Sequence, residues 1–506
     1  MDKYLDQESI DSLHKALKYA PVILLASWLV YQRYLSPFAG LPGPYWATLS
    51  RTWLAYHSCK GDLHTIMMQW HEKYGRVIRI GPSDVSISDL ASIKTIYGAG
   101  SKFRKSDWYS VWQGRRKFDL FPERDEAVHG AQRRLVSRPY AMSALKELEP
   151  YVDNAIRVFF NKLDTMEREK QVIDMGNWVQ LYAFDTIGEV TFSKRFGFMD
   201  AGTDDGAFQQ IQDALISAAW IGQMPWLYRL HEYLSPIIGP RLGIASRHGS
   251  LRQFAAREVA ARQDRGSDRP DILGKLFAVH DEKPDEFDYE ALVSMASSNI
   301  MAGSDSTAIS IRAIIYYMLK NPDSKRKLVE EVDEFWRQGK LSDPVTLAET
   351  EKMPYLQASM YEALRLHPAV GMTLPRVVPK GGHEIDGRYY PAGSVVGVNP
   401  WVVHRIKEVY GQDANVFRPE RWMKEENGEM HRFFFAFGSG ARMCIGRNIS
   451  WMEMSKLIPT LLLHFDIELA DPNASWEEKC HWFVLQKGLH VRLRRRAPPD
   501  AGVSEK

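Results

Sequence analysis

The chain has 506 residues, of which 45% are hydrophobic, 12% aromatic and 25% charged, enough to bury an extensive interior in one large or two domains. These proportions exclude a disordered, collagen-like or low-complexity chain, and 65 basic against 63 acidic residues leave no bulk charge that would argue for nucleic-acid binding. Three widely spaced cysteines, Cys59, Cys444 and Cys480, exclude a disulfide framework and a cysteine-rich zinc module.

The first feature in chain order is an uncharged run of 14 residues, Tyr19 to Gln32. A bilayer crossing needs about 20 residues, a length reached if Lys18 and Arg33 snorkel to the two interfaces. With acidic residues ahead of the run and no small-x-small cleavage site after it, residues 1–36 read as an uncleaved membrane anchor. Residues 37–45 carry Pro37, Gly40, Pro42, Gly43 and Pro44, too closely spaced for a helix, and read as a stiff hinge before a body spanning 46–506.

Val77 to Ile80 and Val85 to Ile87 alternate around Gly81-Pro82, the pattern of a short hairpin. From Ala127 to about Lys320 the apolar spacing is helical, with breaks expected at Gly222–Pro225, Pro236–Pro240 and Arg262–Pro270. The longest stretch, Tyr289 to Lys320, has Asp288 as its expected N-cap and ends at Asn321-Pro322, a length of about 48 Å. Strand signals return after Pro375, with turns at Asp386-Gly387, Pro391-Ala392-Gly393 and Lys487-Gly488. The expected class is therefore mainly α with small peripheral β-sheets.

Three stretches carry chemistry. Within the long helix, Ala302-Gly303-Ser304-Asp305-Ser306-Thr307 sets an acid and hydroxyls into an apolar face, and a mid-helix glycine costs about 1 kcal/mol relative to alanine. Glu362 and Arg365 share one helical face at i,i+3 and can pair. Phe433 to Asn448 places Cys444 between a glycine-rich turn and a helix start. There Gly438 and Gly440 permit a tight turn, Phe437 supplies an apolar wall, Arg442 offers a fork for a carboxylate, and Gly446 leaves room for a flat cofactor. A helix N-terminus directly after Cys444 favours a thiolate.

The last stretch resembles the haem-binding loop of cytochromes P450, Phe-x-x-Gly-x-Arg-x-Cys-x-Gly, at Phe437, Gly440, Arg442, Cys444 and Gly446. The order of the other motifs agrees. Glu362-x-x-Arg365 resembles the family's Glu-x-x-Arg pair, Pro419-Glu420-Arg421 the segment whose arginine joins it, and Ala302 to Thr307 the oxygen-activation segment, with Ser306 where the family has Thr. The resemblance spans about Leu41 to Arg494 and is nearest to filamentous-fungal microsomal members, including the pisatin-demethylase-like group.

The resemblance implies a cytochrome P450 fold with the long central helix over the haem, haem b (iron protoporphyrin IX) as cofactor and Cys444 as its metal ligand. It implies that Asp305, Ser306 and Thr307 govern proton delivery, and that Arg133, Arg376, Arg442 and His129, which stands where the family has Trp, reach the haem carboxylates. Phe437, Gly438 and Gly446 would line the cofactor. The implied activity is a monooxygenase drawing electrons from NADPH through NADPH-cytochrome P450 reductase, with cytochrome b5 as a further partner and a lipophilic small molecule as substrate. Hydroxylation, epoxidation and oxidative demethylation are all within reach, in fungal secondary metabolism and from the endoplasmic reticulum membrane with the catalytic body facing the cytosol. A reductase-independent isomerase or dehydratase of the same fold, and a non-catalytic haem sensor or carrier, stand as alternatives.

Overall fold

A computed structural model describes residues 7–113, 116–230, 233–234, 245–424 and 428–497. The first helix, α1 (Gln7–Val30), continues as a π-helical turn to Leu35. Val22, Ile23, Leu24 and Leu25 all lie exposed on it. The expected transmembrane span is not met: among the described residues no helix is long and apolar enough to cross a membrane. The uncharged run is only 14 residues, and Lys18 and Arg33 close it at either end.

The segment expected to be a hinge is non-helical, as its prolines require, but it is docked rather than free. Phe38 and Leu41 are buried in the core of the neighbouring sheet. Arg79 N–H donates to the Pro42 carbonyl at 2.8 Å, and its guanidinium bonds both the carbonyl and the side chain of Gln32, each at 2.8 Å.

The expected hairpin forms as β1 (Val77–Arg79) and β2 (Asp84–Ile87). Two strands of two residues follow, β3 (Arg104–Lys105) and, inside the stretch read as helical, β4 (Ile173–Asp174). Beyond Pro375 come β5 (Arg376–Val377), β6 (His383–Ile385), β7 (Arg388–Tyr390) and β8 (Val395–Gly397), with turns where the sequence places them. The C-terminal part adds β9 (Phe465–Leu469), β10 (Glu477–His481), β11 (Phe483–Lys487) and β12 (His490–Arg495). A five-stranded sheet runs β1-β2-β8-β5-β3 and a three-stranded one β4-β12-β9, with β6-β7 and β10-β11 as separate pairs.

Helices supply the bulk of the body: α2 (Glu126–Val136), α3 (Glu149–Arg168), α4 (Met175–Phe192), α5 (Ala207–Ile221), α6 (Ala245–Arg265) and α7 (Ile272–Glu282). The expected break at 222–225 follows α5, whereas α6 runs on to Arg265, past Arg262; the break expected at 236–240 lies outside the described residues. Then comes α8 (Tyr289–Lys320), with Asp288 accepting the Ala291 N–H and Asn321 capping its end, as expected. It threads the core between α4, whose residues are almost all buried, and the later helices α9 (Pro354–Leu366) and α10 (Arg447–His464). The class is mainly α with small sheets.

Candidate active site

Residues 434–446 form an irregular loop that ends on α10. The Cys444 N–H donates to the Phe437 carbonyl at 2.9 Å, and the Gly438 N–H to the Phe435 carbonyl at 3.0 Å, so the loop closes on itself. Gly440 sits at φ +61°, and a Cβ there would stand 2.0 Å from the Tyr97 carbonyl oxygen, which only glycine avoids. A Cβ on Gly446 would meet nothing nearer than the Cys444 sulfur, at 4.0 Å.

Cys444 is uncovered. Protein nevertheless surrounds it so closely that burial pushes its thiol above the ordinary value, against the pull of the Gly446 N–H, the Arg133 guanidinium and the Arg447 N–H. The helix-start N–H groups expected to favour a thiolate are in place, and burial outweighs them. A side chain both uncovered and enclosed lines an internal space.

A second uncovered strip lies on α8. Ala302 is exposed and Ser306 partly so in the middle of a buried helix, while Ser304, Asp305 and Thr307 are buried. Successive helical residues point about 100° apart, so the three candidate side chains diverge. The Ser306 hydroxyl lies on the open strip and donates to the Ala302 carbonyl at 2.7 Å. Asp305 turns toward α4, where Gln180 donates to it at 2.5 Å. Thr307 bonds Ser450 of α10 at 2.5 Å, inside the packed core. That bond fixes α8 against the first turns of the helix leaving Cys444, so strip and sulfur belong to the same part of the interior. Gly303 has a packing reason: a Cβ there would stand 2.9 Å from Ile187 of α4.

Cations gather beside the loop. His129 is buried and its imidazole is pushed down to about 3, first by burial, then by the charges of Arg442, Lys105, Arg133 and Arg376. Arg442 grips Glu126 with two nitrogens, at 2.8 and 3.0 Å. Arg376, 4% exposed, bonds the Tyr109 hydroxyl at 3.2 Å and the Pro375 carbonyl at 3.0 Å, and stacks on Tyr97 and Tyr109. Lys105, 5% exposed, donates to the Phe121 carbonyl between the rings of Tyr109 and Phe121. These two cations face each other as partners in the β3–β5 register.

Like charges directly opposite on paired strands repel, and buried charges need a partner. Among the described residues neither Lys105 nor Arg376 has an ion pair with a carboxylate, and burial, then the charges of Arg376 and Arg442, push the Lys105 amine well below its ordinary value, so an anion placed here would restore its charge and the arrangement has room for a dianion. A soft sulfur on an open space with surplus cations at its edge is the donor set that haem, a flat iron macrocycle with two carboxylates, requires. Lys105 escapes the sequence reading because a two-residue strand leaves no periodic signal. Lys105→Met is expected to speed haem loss to an acceptor protein by about tenfold, the worth of roughly 1.4 kcal/mol for a charge-assisted bond. An unchanged rate would assign the ammonium to the aromatic pocket alone.

A second residue outside the sequence reading is His404, fully buried and pushed down to about 3 by burial and then by the Arg365 charge. Its Nδ1 lies 3.0 Å from the Arg365 carbonyl and its Nε2 accepts the Phe435 N–H at 2.7 Å. Those partners require a neutral ring protonated on Nδ1. His404 is thus a strut between α9 and the start of the cysteine loop.

The family model described as Cytochrome P450 matches residues 41–491. Over 493 residues the chain is 40% identical to cytochrome P450 monooxygenase hepC of Aspergillus oryzae, covering 93% of this chain and 96% of that protein. Cytochrome P450 monooxygenase gsfF of Penicillium aethiopicum is 36% identical over 93% of this chain and 96% of its own length. A pisatin demethylase of Fusarium vanettenii is 36% identical over 92% of each.

Proposed function

Since the chain belongs to the cytochrome P450 family, we propose that it is a haem-thiolate monooxygenase that inserts one oxygen atom from O2 into a lipophilic small molecule of fungal secondary metabolism. The observation that carries this reading is the uncovered, enclosed Cys444 sulfur beside the basic residues Lys105 and Arg376, which have no carboxylate partner among the described residues. Haem b, when bound, supplies reductive activation of O2 and transfer of one oxygen atom to a C–H or π-bond.

The chain's own residues do the rest. Cys444 presents its sulfur on a loop braced by Phe437 and His404, while Arg133, Arg376, Arg442 and Lys105 hold the carboxylates. Ser306 offers a hydroxyl on the open strip of α8, and Asp305, one residue away, holds the proton supply from the adjoining α4 side. Thr307 acts at a distance, by tying α8 to α10 through Ser450. Electrons come from a redox partner, read here as NADPH-cytochrome P450 reductase with cytochrome b5 as an accessory. The apolar Ala302 exposed on that strip suits a lipophilic substrate.

The exposed apolar residues Val22, Ile23, Leu24 and Leu25 of α1 support seating on the endoplasmic reticulum membrane with the body in the cytosol. Removing residues 1–36 is expected to move the protein from the carbonate-washed membrane pellet to the supernatant. Retention of the shortened chain in the pellet would refute the anchor.

The test of the whole reading is mass spectrometry of extracts from a host that carries a reductase, supplied with heavy-isotope O2 and lipophilic precursors. A Cys444-dependent product that gains one heavy oxygen, or loses a methyl group as formaldehyde, supports monooxygenation. A Cys444-dependent product formed without reductase and without oxygen from O2 would overturn it.

A further inference from the structure

Asp305 is held by a closed polar circuit. Its Oδ1 accepts from Gln180 Nε2 at 2.5 Å, and Gln180 Oε1 accepts in turn from Arg312 Nη2 at 2.7 Å. Arg312 returns to α4, donating from Nε and Nη2 to the Gly176 carbonyl at 2.8 and 2.6 Å. Gly176 and Gln180 are one turn apart on α4, and Asp305 and Arg312 two turns apart on α8, so one amide spans the gap that the carboxylate and guanidinium cannot close directly. All three side chains are buried, and Asp305 Oδ2 has no partner among the described residues.

The amide cannot be reversed here, because its oxygen faces a guanidinium and its nitrogen a carboxylate. Burial raises the Asp305 carboxyl to about 6, against the pull of the Arg312 charge and the Gln180 bond. Burial likewise lowers Arg312 to about 10, with Asp305 and Asp174 opposing.

Apart from Glu453 of α10, whose Oε2 has no partner among the described residues, the charged groups on the surrounding elements are spoken for elsewhere. On α4, Asp185 accepts the 197–199 amides and Glu189 pairs with Arg269. Glu453 of α10 acts on Tyr182, Glu362 of α9 is held by Arg365 and Arg421, Arg252 of α6 pairs with Glu290, and His280 of α7 meets the Phe287 carbonyl. From β11, Gln486 donates to the Ile309 carbonyl. Arg312 is therefore the charge that acts on Asp305, and Asp174, at the start of α4, reaches it through Arg312.

We propose that Gln180 and Arg312 are positioning residues for Asp305: they turn its carboxylate into the α4–α8 wall and set the pH at which it exchanges a proton. The inference deepens the proposed function, in which Asp305 holds the proton supply beside Ser306. Loss of either residue removes stabilisation of the ionised form, so the carboxyl keeps its proton to higher pH.

The test is infrared titration of the holoenzyme, following the protonated-carboxyl stretch that Asp305→Asn removes, which separates it from that of Glu453. In the wild type the band should vanish with a midpoint near 6. Arg312→Met should raise the midpoint by at least about one unit, a tenfold gain in proton affinity, and Gln180→Leu should raise it too. Arg312→Lys, which keeps the charge, should return it toward wild type. An unmoved midpoint in both Arg312→Met and Gln180→Leu would overturn the clamp, as would a midpoint in Arg312→Lys equal to that in Arg312→Met.

A second readout is the pH dependence of hydrogen peroxide released per NADPH consumed, with purified reductase and no substrate. It should shift with the band. A band that moves while the peroxide profile stays the same in every variant, Asp305→Asn included, would keep the clamp and remove Asp305 from proton delivery.

Discussion

Cys444→Ala is expected to abolish the thiolate-type carbonyl spectrum and to lower product formation at least about a thousandfold, some 4 kcal/mol of barrier. The other thiols cannot take its place. Cys480 is fully buried, its thiol pushed up to about 12 by burial, and Cys59 is exposed on the helix Thr52–Lys60. Among the described residues no group of three or more His, Cys, Asp or Glu side chains could hold a metal, so no substitute ligand set stands ready. Cys59→Ser is expected to leave spectrum and turnover unchanged. If the cation cluster holds the carboxylates as proposed, Cys444→Ala should still take up haem, more weakly and with an altered spectrum. A thiolate-type spectrum in Cys444→Ala would remove Cys444 from the iron.

The second large effect is on the fold. Glu362→Gln is expected to destabilise the protein by about 3–5 kcal/mol, the range for breaking a buried ion pair from one side. The Glu362 carboxylate is fully buried and accepts from Arg365 at 2.8 Å twice, from Arg421 at 2.8 Å, from Trp422 at 2.8 Å and from the Arg418 N–H at 2.9 Å. Replacing it with an amide leaves the buried Arg365 guanidinium without its anion and Arg421 with only the Asp413 carboxylate, at 3.4 Å.

Burial works to raise the Glu362 carboxyl, but the bonds and charges of Arg365 and Arg421 hold it below its ordinary value. A depressed folded-state value stabilises the protein above the unfolded value of about 4.3, and that contribution is lost as pH falls further. The wild type should accordingly lose stability on acidification below about pH 4 more steeply than Glu362→Gln. Denaturant titrations across pH 3–7 would show it, and parallel curves would contradict the account. Arg365 also bonds the His404 and Ala414 carbonyls at 2.7 and 2.6 Å, and His404 bears on Phe435. Haem loss should therefore accompany unfolding in this variant rather than follow it.

Elements whose signal is local were legible in the chain. The ends of α8 rest on Asp288, whose side chain caps the first turn, and on Asn321-Pro322, which cannot continue it. The β1–β2 and β6–β7 hairpins follow from alternation around turn residues. The cysteine loop was legible because glycine, arginine and cysteine are needed there at fixed spacing by the turn and the ligand. The joining of Glu362, Arg365 and Arg421 was legible through the resemblance, since 56 residues separate the last two.

What sequence by itself determined, then, was the helical class, the long central helix and the setting of Cys444 between a glycine-rich turn and a helix start, because each rests on backbone propensity or on residues adjacent in the chain. Tertiary structure alone decided the rest. It set Lys105 opposite Arg376 through a two-residue pairing, docked the hinge through Phe38 and Leu41, and made His404 a strut. It also sent Asp305, Ser306 and Thr307 to three different neighbours, since a helix fixes only the angle between successive side chains, and which helix waits at each angle is settled by packing.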